Sequence, residues 1–265
     1  MTDNELTPTY HHRPGTGPTL VFLHYWGGSS RTWQPVIDRL GERATVTIDA
    51  RGWGGSRHLP GPYSLDRMAQ DVSRVVSEAG LTSYVVIGHS MGGKVAQLFA
   101  STHPRELAGV ALVGPGPAKP APAVTPAYQQ QLAQAYDSAE SVAGARDHVL
   151  TATALSNEAK AQVVADSLSA ASPEARTAWP LHGIAEDITA AARAIAVPVL
   201  VVAGEHDVVE PVGVLRTNLL PYLTRAEFRV LPGTGHLMPL EAPDALAQAI
   251  AEFADAVTTN EASGG

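Results

Sequence analysis

Gly88-His89-Ser90-Met91-Gly92-Gly93 follows the apolar run Tyr84-Val85-Val86-Ile87 and opens a helical pattern that continues from Lys94 to Ala100. A serine on so sharp a strand-to-helix turn has its backbone forced towards positive φ. The strand and the helix pass it in van der Waals contact, so its neighbours can carry almost no side chain. Gly88 and Gly92 supply that space, and the stretch fits a nucleophile elbow. Such a turn lifts the Ser90 hydroxyl above a sheet and aims unbonded amides at the helix start towards any oxyanion forming beside it.

Two rival readings of the glycines fail on single positions. Gly88, Gly93 and Lys94 match G-x-x-x-x-G-K, but Val95 stands where a phosphate-binding loop needs a hydroxyl to hold magnesium. Gly52 and Gly54 are followed by Arg57, and Gly114 and Gly116 by Lys119, where a dinucleotide fingerprint requires a third glycine. Chemistry without a cofactor is expected.

Outward from the elbow, short apolar runs alternate with helix-period segments. Thr19–Leu23, Thr45–Ile48, Ser83–Ile87, Gly109–Val113, Val199–Ala203 and Glu227–Leu231 read as buried strands. Helical patterns cover Thr32–Leu40, Leu65–Ala79, Met91–Ala100, Val212–Leu219 and Asp244–Ala256. Alternation of this kind predicts an α/β fold, a mostly parallel twisted sheet with helices on both faces and right-handed crossovers. Residues 118–190 break the pattern: a proline-rich opening, Pro115 to Pro122, is followed by alanine-rich helical patterns and no convincing strand. The expected organisation is therefore core (1–117), inserted helical cap (118–190), then the second part of the core and a C-terminal tail (191–265). The small, polar tail from Thr258 to Gly265 is expected to fray.

Composition sets the outer bounds. The chain has 265 residues, 45% hydrophobic and 17% charged, which suits one ordinary globular unit with a sizeable core. A net charge of −8 and fifteen scattered arginines with three lysines argue against a nucleic-acid or anionic-membrane partner. The absence of cysteine removes disulfides, thiolate metal ligands and a cysteine nucleophile together. No metal site is suggested. Met1–Thr9 is polar and acidic, and the first apolar run, Leu20–Leu23, is too short for a signal segment or a membrane span, so a soluble, cytoplasmic protein is expected.

In a parallel sheet, ligands bind beyond the carboxyl ends of the strands. His24-Tyr25-Trp26-Gly27-Gly28 follows the first strand, Asp49 to Ser56 the second, Gly204-Glu205-His206-Asp207 the fifth, and Pro232-Gly233-Thr234-Gly235-His236 the sixth. Ser90, then Asp207, then His236 is the chain order of a hydrolase triad on such a sheet. Asp207 competes with Glu205 and Glu210. Glu205 sits two residues nearer the strand and should point elsewhere, and no carboxylate lies between Val113 and Tyr136 to offer another position.

These motifs, in this order, resemble the α/β-hydrolase superfamily, in the branch with a helical cap, from about Pro18 to Val257. The resemblance implies Ser90 as nucleophile, His236 as general base, Asp207 as the acid orienting the imidazole, and the Trp26 and Met91 amides as the oxyanion hole. Tyr25 stands where the family usually has glycine. Candidates for contacting substrate are Tyr25, His89, Tyr128, Tyr136 and Trp179. The function expected is that of a serine hydrolase cleaving a carboxylic ester or related acyl bond of a small molecule, through an acyl-enzyme. Lactone opening, carbon-carbon bond hydrolysis, acyl transfer and cofactor-free perhydrolysis would use the same triad, and a non-catalytic ligand receptor on the same fold is the alternative from another class.

Overall fold

Valine, isoleucine and leucine crowd both faces of the central strands, and a sheet buried on both sides satisfies their backbone groups while hiding every side chain. In the computed structural model, which describes residues 6–263, the strands are β1 (Tyr10–Arg13), β2 (Thr16–Leu23), β3 (Arg43–Ile48), β4 (Tyr84–His89), β5 (Leu107–Val113), β6 (Val199–Gly204) and β7 (Ala226–Leu231). They form one seven-stranded sheet in the order β1-β3-β2-β4-β5-β6-β7. All neighbours run parallel except β1, which pairs antiparallel with β3, Tyr10 opposite Ile48. The helices are α1 (Gln34–Ile37), α2 (Leu65–Glu78), α3 (Met91–Ala100), α4 (Pro126–Ala133), α5 (Ala139–Ala145), α6 (Asn157–Ser167), α7 (Pro173–Leu181), α8 (Thr189–Ala194), α9 (Val212–Asn218), α10 (Met238–Glu241) and α11 (Pro243–Ser263).

Alternate strand residues build two cores. Val21, Val86, Val110 and Val201 pack with Val72 and Val75 of α2 and Phe99 of α3. Leu20, Val85, Ala111 and Leu200 pack on the other face with Trp33, Val36 of α1 and Leu246, Ile250 and Phe253 of α11. The chain leaves β2 towards β3 and then returns to β4 on the opposite side. That reversal opens a crevice between the carboxyl ends of β2 and β4, where ligands of open α/β sheets bind.

Three local expectations change. β1 was not foreseen: Tyr-His-His-Arg is a polar edge strand, half exposed, with no apolar alternation to announce it. The helix expected over Thr32–Leu40 is a 3-10 turn, Ser30–Trp33, followed by the short α1, with Pro35 in its first turn. The tail does not fray from Thr258. α11 runs on to Ser263, and the hydroxyls of Thr258 and Thr259 donate back to the carbonyls of Ala254 and Asp255 at 3.0 and 2.8 Å; Gly264 and Gly265 lie outside the described residues. Among the described residues no helix is long and apolar enough to cross a membrane.

Between β5 and β6 the described chain is helical, α4 to α8, with no strand. Lys94 of α3 ties this segment down. Its fully buried Nζ donates to the carbonyls of Gly183 (3.0 Å), Ile184 (3.3 Å) and Glu186 (2.5 Å), and lies 5.9 Å from the Trp179 ring centroid. Burial lowers its pKa from 10.5 to about 8. A folded pKa below the unfolded one means that the native state releases its proton first, so stability should rise as the pH passes from about 8 to 10.5. Denaturant titrations of wild type and Lys94→Met across that range should show a gain on the order of 3 kcal/mol for wild type alone. Parallel curves for the two proteins would contradict it.

Candidate active site

Ser90 has φ 54° and ψ −115°, outside the comfortable region for any side chain, and such a conformation persists only where its surroundings over-determine it. Its amide donates to Val113 at 3.0 Å, and its carbonyl accepts from the amides of Gly93 (2.9 Å), Lys94 (3.3 Å) and Gly116 (3.0 Å). A Cβ on Gly88 would sit 2.3 Å from the Gly92 carbonyl oxygen, and one on Gly92 would sit 2.7 Å from the carbonyl oxygens of Leu23 and His24. The glycines are therefore steric requirements of this turn.

Asp207 and His236 come from the loops after β6 and β7. Asp207 Oδ1 accepts the amides of Val209 (2.8 Å) and Glu210 (2.9 Å), which leaves Oδ2 to meet His236 Nδ1 at 2.8 Å. Burial pushes the Asp207 carboxyl up, but the His236 imidazole and the two amides outweigh it and hold the group below its usual value. Nδ1 therefore carries the proton that is donated to the carboxylate, and Nε2 is left as the acceptor. Glu205 points elsewhere, accepting the Gly233 amide at 2.8 Å. Ser90 and His236 line the same cavity; among the described residues no hydrogen bond joins their side chains directly.

The other two histidines of the site are structural. His89 does not line the cavity, contrary to its candidacy for touching substrate. It is buried beneath, packed on Trp33, Tyr25 and His236, and its Nε2–H donates to the His236 carbonyl at 2.8 Å. Burial, with the adjacent His236, lowers its pKa to about 3, so it is neutral. His24 is likewise held low by burial; its Nδ1–H donates to the Tyr25 carbonyl (2.7 Å) and its Nε2 accepts the Ala50 amide (2.9 Å), which fixes the loop after β2.

That loop is clamped by the helical segment. The Trp26 ring stacks on Tyr136 at 4.0 Å, its Nε1–H donates to the Arg176 carbonyl at 2.8 Å, and the Tyr136 hydroxyl donates to the Trp26 carbonyl at 3.2 Å. Ser167 donates to the Gly27 carbonyl, and Ser29 to Asp166. Among the described residues the amides of Trp26 and Met91 donate to no carbonyl or side chain.

Ser90 and His236 open into a cavity of about 320 Å³, and Tyr25, Tyr128, Tyr136 and Trp179 are on its wall. A larger hollow, of about 610 Å³, lies past Trp179 between Tyr63 and His182 and reaches neither Ser90 nor His236. Sequence reading missed Val149 and Leu150, in the π-helical turn Arg146–Leu150 after α5, and Ile184, in the 3-10 turn Gly183–Ala185 after α7, and missed Glu210 as a wall residue. It also missed the clamp on the histidine loop. The Leu150 carbonyl accepts the amides of His236 (2.9 Å) and Leu237 (3.0 Å), and the Glu241 carboxylate takes those of Ala152 (2.8 Å), Thr153 (3.0 Å) and Gly235 (3.1 Å). Glu241→Ala is expected to cost about 1 kcal/mol, or roughly 2–4 °C in Tm, with faster amide exchange at these three positions. Unchanged exchange would show that the carboxylate does not hold the loop. Among the described residues no three histidine, aspartate or glutamate side chains are grouped to hold a metal ion.

Comparison with known proteins comes to the same sheet. The family model described as serine aminopeptidase, S33, matches residues 16–242. The chain is similar to the pimeloyl-(acyl-carrier protein) methyl ester esterase of Pseudoalteromonas atlantica, 36% identical over 105 residues, 39% of each chain. It thus spans well under half the length of that curated relative. It is 28% identical over 265 residues to the 2-succinyl-6-hydroxy-2,4-cyclohexadiene-1-carboxylate synthase of an Enterobacter species, covering 91% of this chain and 93% of that one. Among solved structures, a thermophilic esterase of Thermogutta terrifontis superposes with a TM-score of 0.77 at 28% identity, covering 94% and 93% of the two chains.

Proposed function

The chain belongs to the serine aminopeptidase S33 family of α/β hydrolases, an enzyme family, and from that premise we propose that it cleaves a carboxylic ester or related acyl bond through Ser90, His236 and Asp207. His236 Nε2 takes the Ser90 proton as Oγ attacks the acyl carbon. The oxyanion that forms is met by the Met91 and Trp26 amides, fixed donors whose orientation costs nothing at the moment of reaction. Asp207 stabilises the imidazolium without taking its proton. The leaving alcohol then takes the proton from His236, and water repeats the sequence on the acyl-enzyme to release the acid. Residues 118–190 act as a cap that supplies most of the pocket wall and clamps the loop after β2.

The observation that carries this reading is the Asp207–His236 bond at 2.8 Å, opening on the same cavity as a serine on a strained elbow. The esterase names among relatives and solved structures support placing a carboxylic ester among the acyl bonds it acts on. Treatment with a fluorophosphonate and intact-mass measurement tests it: one adduct, mapped to Ser90, is expected. An unlabelled protein would leave a ligand-binding pocket without an activated nucleophile.

A further inference from the structure

Among the described residues Glu210 is the one carboxyl on the wall that holds Ser90 and His236, and the mechanism does not use it. Only 5% of its surface is exposed. Its amide is bound to Asp207 Oδ1, so the turn that orients the acid also sets where the Glu210 side chain begins. Among the described residues, no hydrogen bond or ion pair reaches its carboxyl oxygens from the protein. No lysine or arginine among the described residues lines the cavity, and the nearby Lys94 ammonium is committed to three carbonyls. Apart from Ser90, His236 and the neutral amides of Gln131 and Gln134, the wall is apolar or aromatic, with Leu132, Val149, Leu150, Ile184 and Val209.

A carboxyl in that position has two reasons to stay uncharged. Water is largely excluded, and the Asp207 carboxylate lies close by. Burial, then Asp207, push the group well above the usual carboxylate range. A neutral carboxyl has an O–H to give, and among the described residues no protein group takes it.

We propose that Glu210 is a specificity-determining residue, donating a hydrogen bond to an uncharged acceptor, such as an ether, ketone or amide oxygen, carried by the acyl substrate away from the bond that is cleaved. The assignment rests on the hydrolase reading above and adds the substrate class to it. A carboxylate-bearing substrate meets no cation on this wall, and a plain alkyl chain leaves the buried O–H unsatisfied, so both are disfavoured against the neutral acceptor.

The test uses three esters of matched length, with an alkyl chain, an ether oxygen in that chain, or an ammonium at its end, on wild type, Glu210→Gln and Glu210→Leu. The quantity read is the ratio of kcat/KM between esters within one protein, which is independent of the folded fraction. Wild type should prefer the ether ester over the alkyl ester by about tenfold. Glu210→Gln, which keeps an N–H donor and cannot ionise, should retain the preference, and Glu210→Leu should abolish it. Loss in Gln as complete as in Leu, a preference for the ammonium ester, or no discrimination by wild type would each overturn the assignment. Fluorophosphonate labelling of wild type separates the two levels. With Ser90 labelled, a failure concerns Glu210 alone; with Ser90 unlabelled, the hydrolase mechanism falls and this assignment with it.

Discussion

Ser90→Ala should fold as the wild type does and lose ester turnover by roughly 10⁵ to 10⁶-fold. The Ser90 backbone is held by the bond from its amide to Val113 and by three amides on its carbonyl, none of which involves the side chain. Removing Oγ therefore orphans no partner. What disappears is the only atom that can form the acyl-enzyme, and the remaining rate comes from the Met91 and Trp26 amides acting on a directly attacking water. A second substitution separates chemistry from strain. Ser90→Gly should be equally inactive yet more stable than Ser90→Ala by about 1 kcal/mol, because glycine alone adopts φ 54° without steric cost. Kinetics on both variants, with thermal melts, check the two statements. Turnover in Ser90→Ala within tenfold of wild type would exclude a covalent route through this residue.

What could be read from the chain, and what could not, divides along a physical line. Strands β2 to β6 were legible because both faces are buried, and continuous Val, Ile and Leu runs have no other comfortable place. The elbow was legible because two backbones approach within a distance that admits only hydrogen at Gly88 and Gly92. Asp207 could be favoured over Glu205 because chain length alone decides which of them reaches past the end of β6. The wall of the cavity was not legible. α4 to α7 are alanine-rich and weakly amphipathic, so which of their residues turn inward depends on the Tyr136–Trp26 stack and the Lys94 anchor, contacts between segments far apart in sequence. Glu210 looked like one more loop acid. Only the three-dimensional packing of α4, α7 and the loop after β6 takes it out of water. His89 is the converse: adjacent to the serine in sequence, it points into the sheet's other side and supports His236 from below.

Asp207→Asn is the sharpest test of the acid, because the hydrogen bonds around it dictate how asparagine must sit. Oδ1 of Asp207 accepts two amides, from Val209 and Glu210, and Oδ2 accepts from His236 Nδ1. An asparagine that keeps its carbonyl oxygen on the two amides has to turn its NH₂ towards Nδ1. The flipped alternative sets an NH₂ against two N–H donors, leaving all three unpaired in a buried site. The first arrangement wins, and an NH₂ donating to Nδ1 forces the imidazole proton onto Nε2, the nitrogen that must accept from Ser90. The fold is retained, since both backbone bonds survive, while the base is held in the wrong tautomer. Turnover is expected to fall by about 10⁴-fold, with a melting temperature near that of wild type. Glu205→Gln should change turnover less than about threefold, since its exposed carboxylate accepts the Gly233 amide, which a glutamine oxygen can also do, and otherwise only lies 3.7 Å from the exposed His206 among the described residues. A fall of less than tenfold in Asp207→Asn, or an equal loss in Glu205→Gln, would mean that the imidazole is oriented by something other than the Asp207 carboxylate.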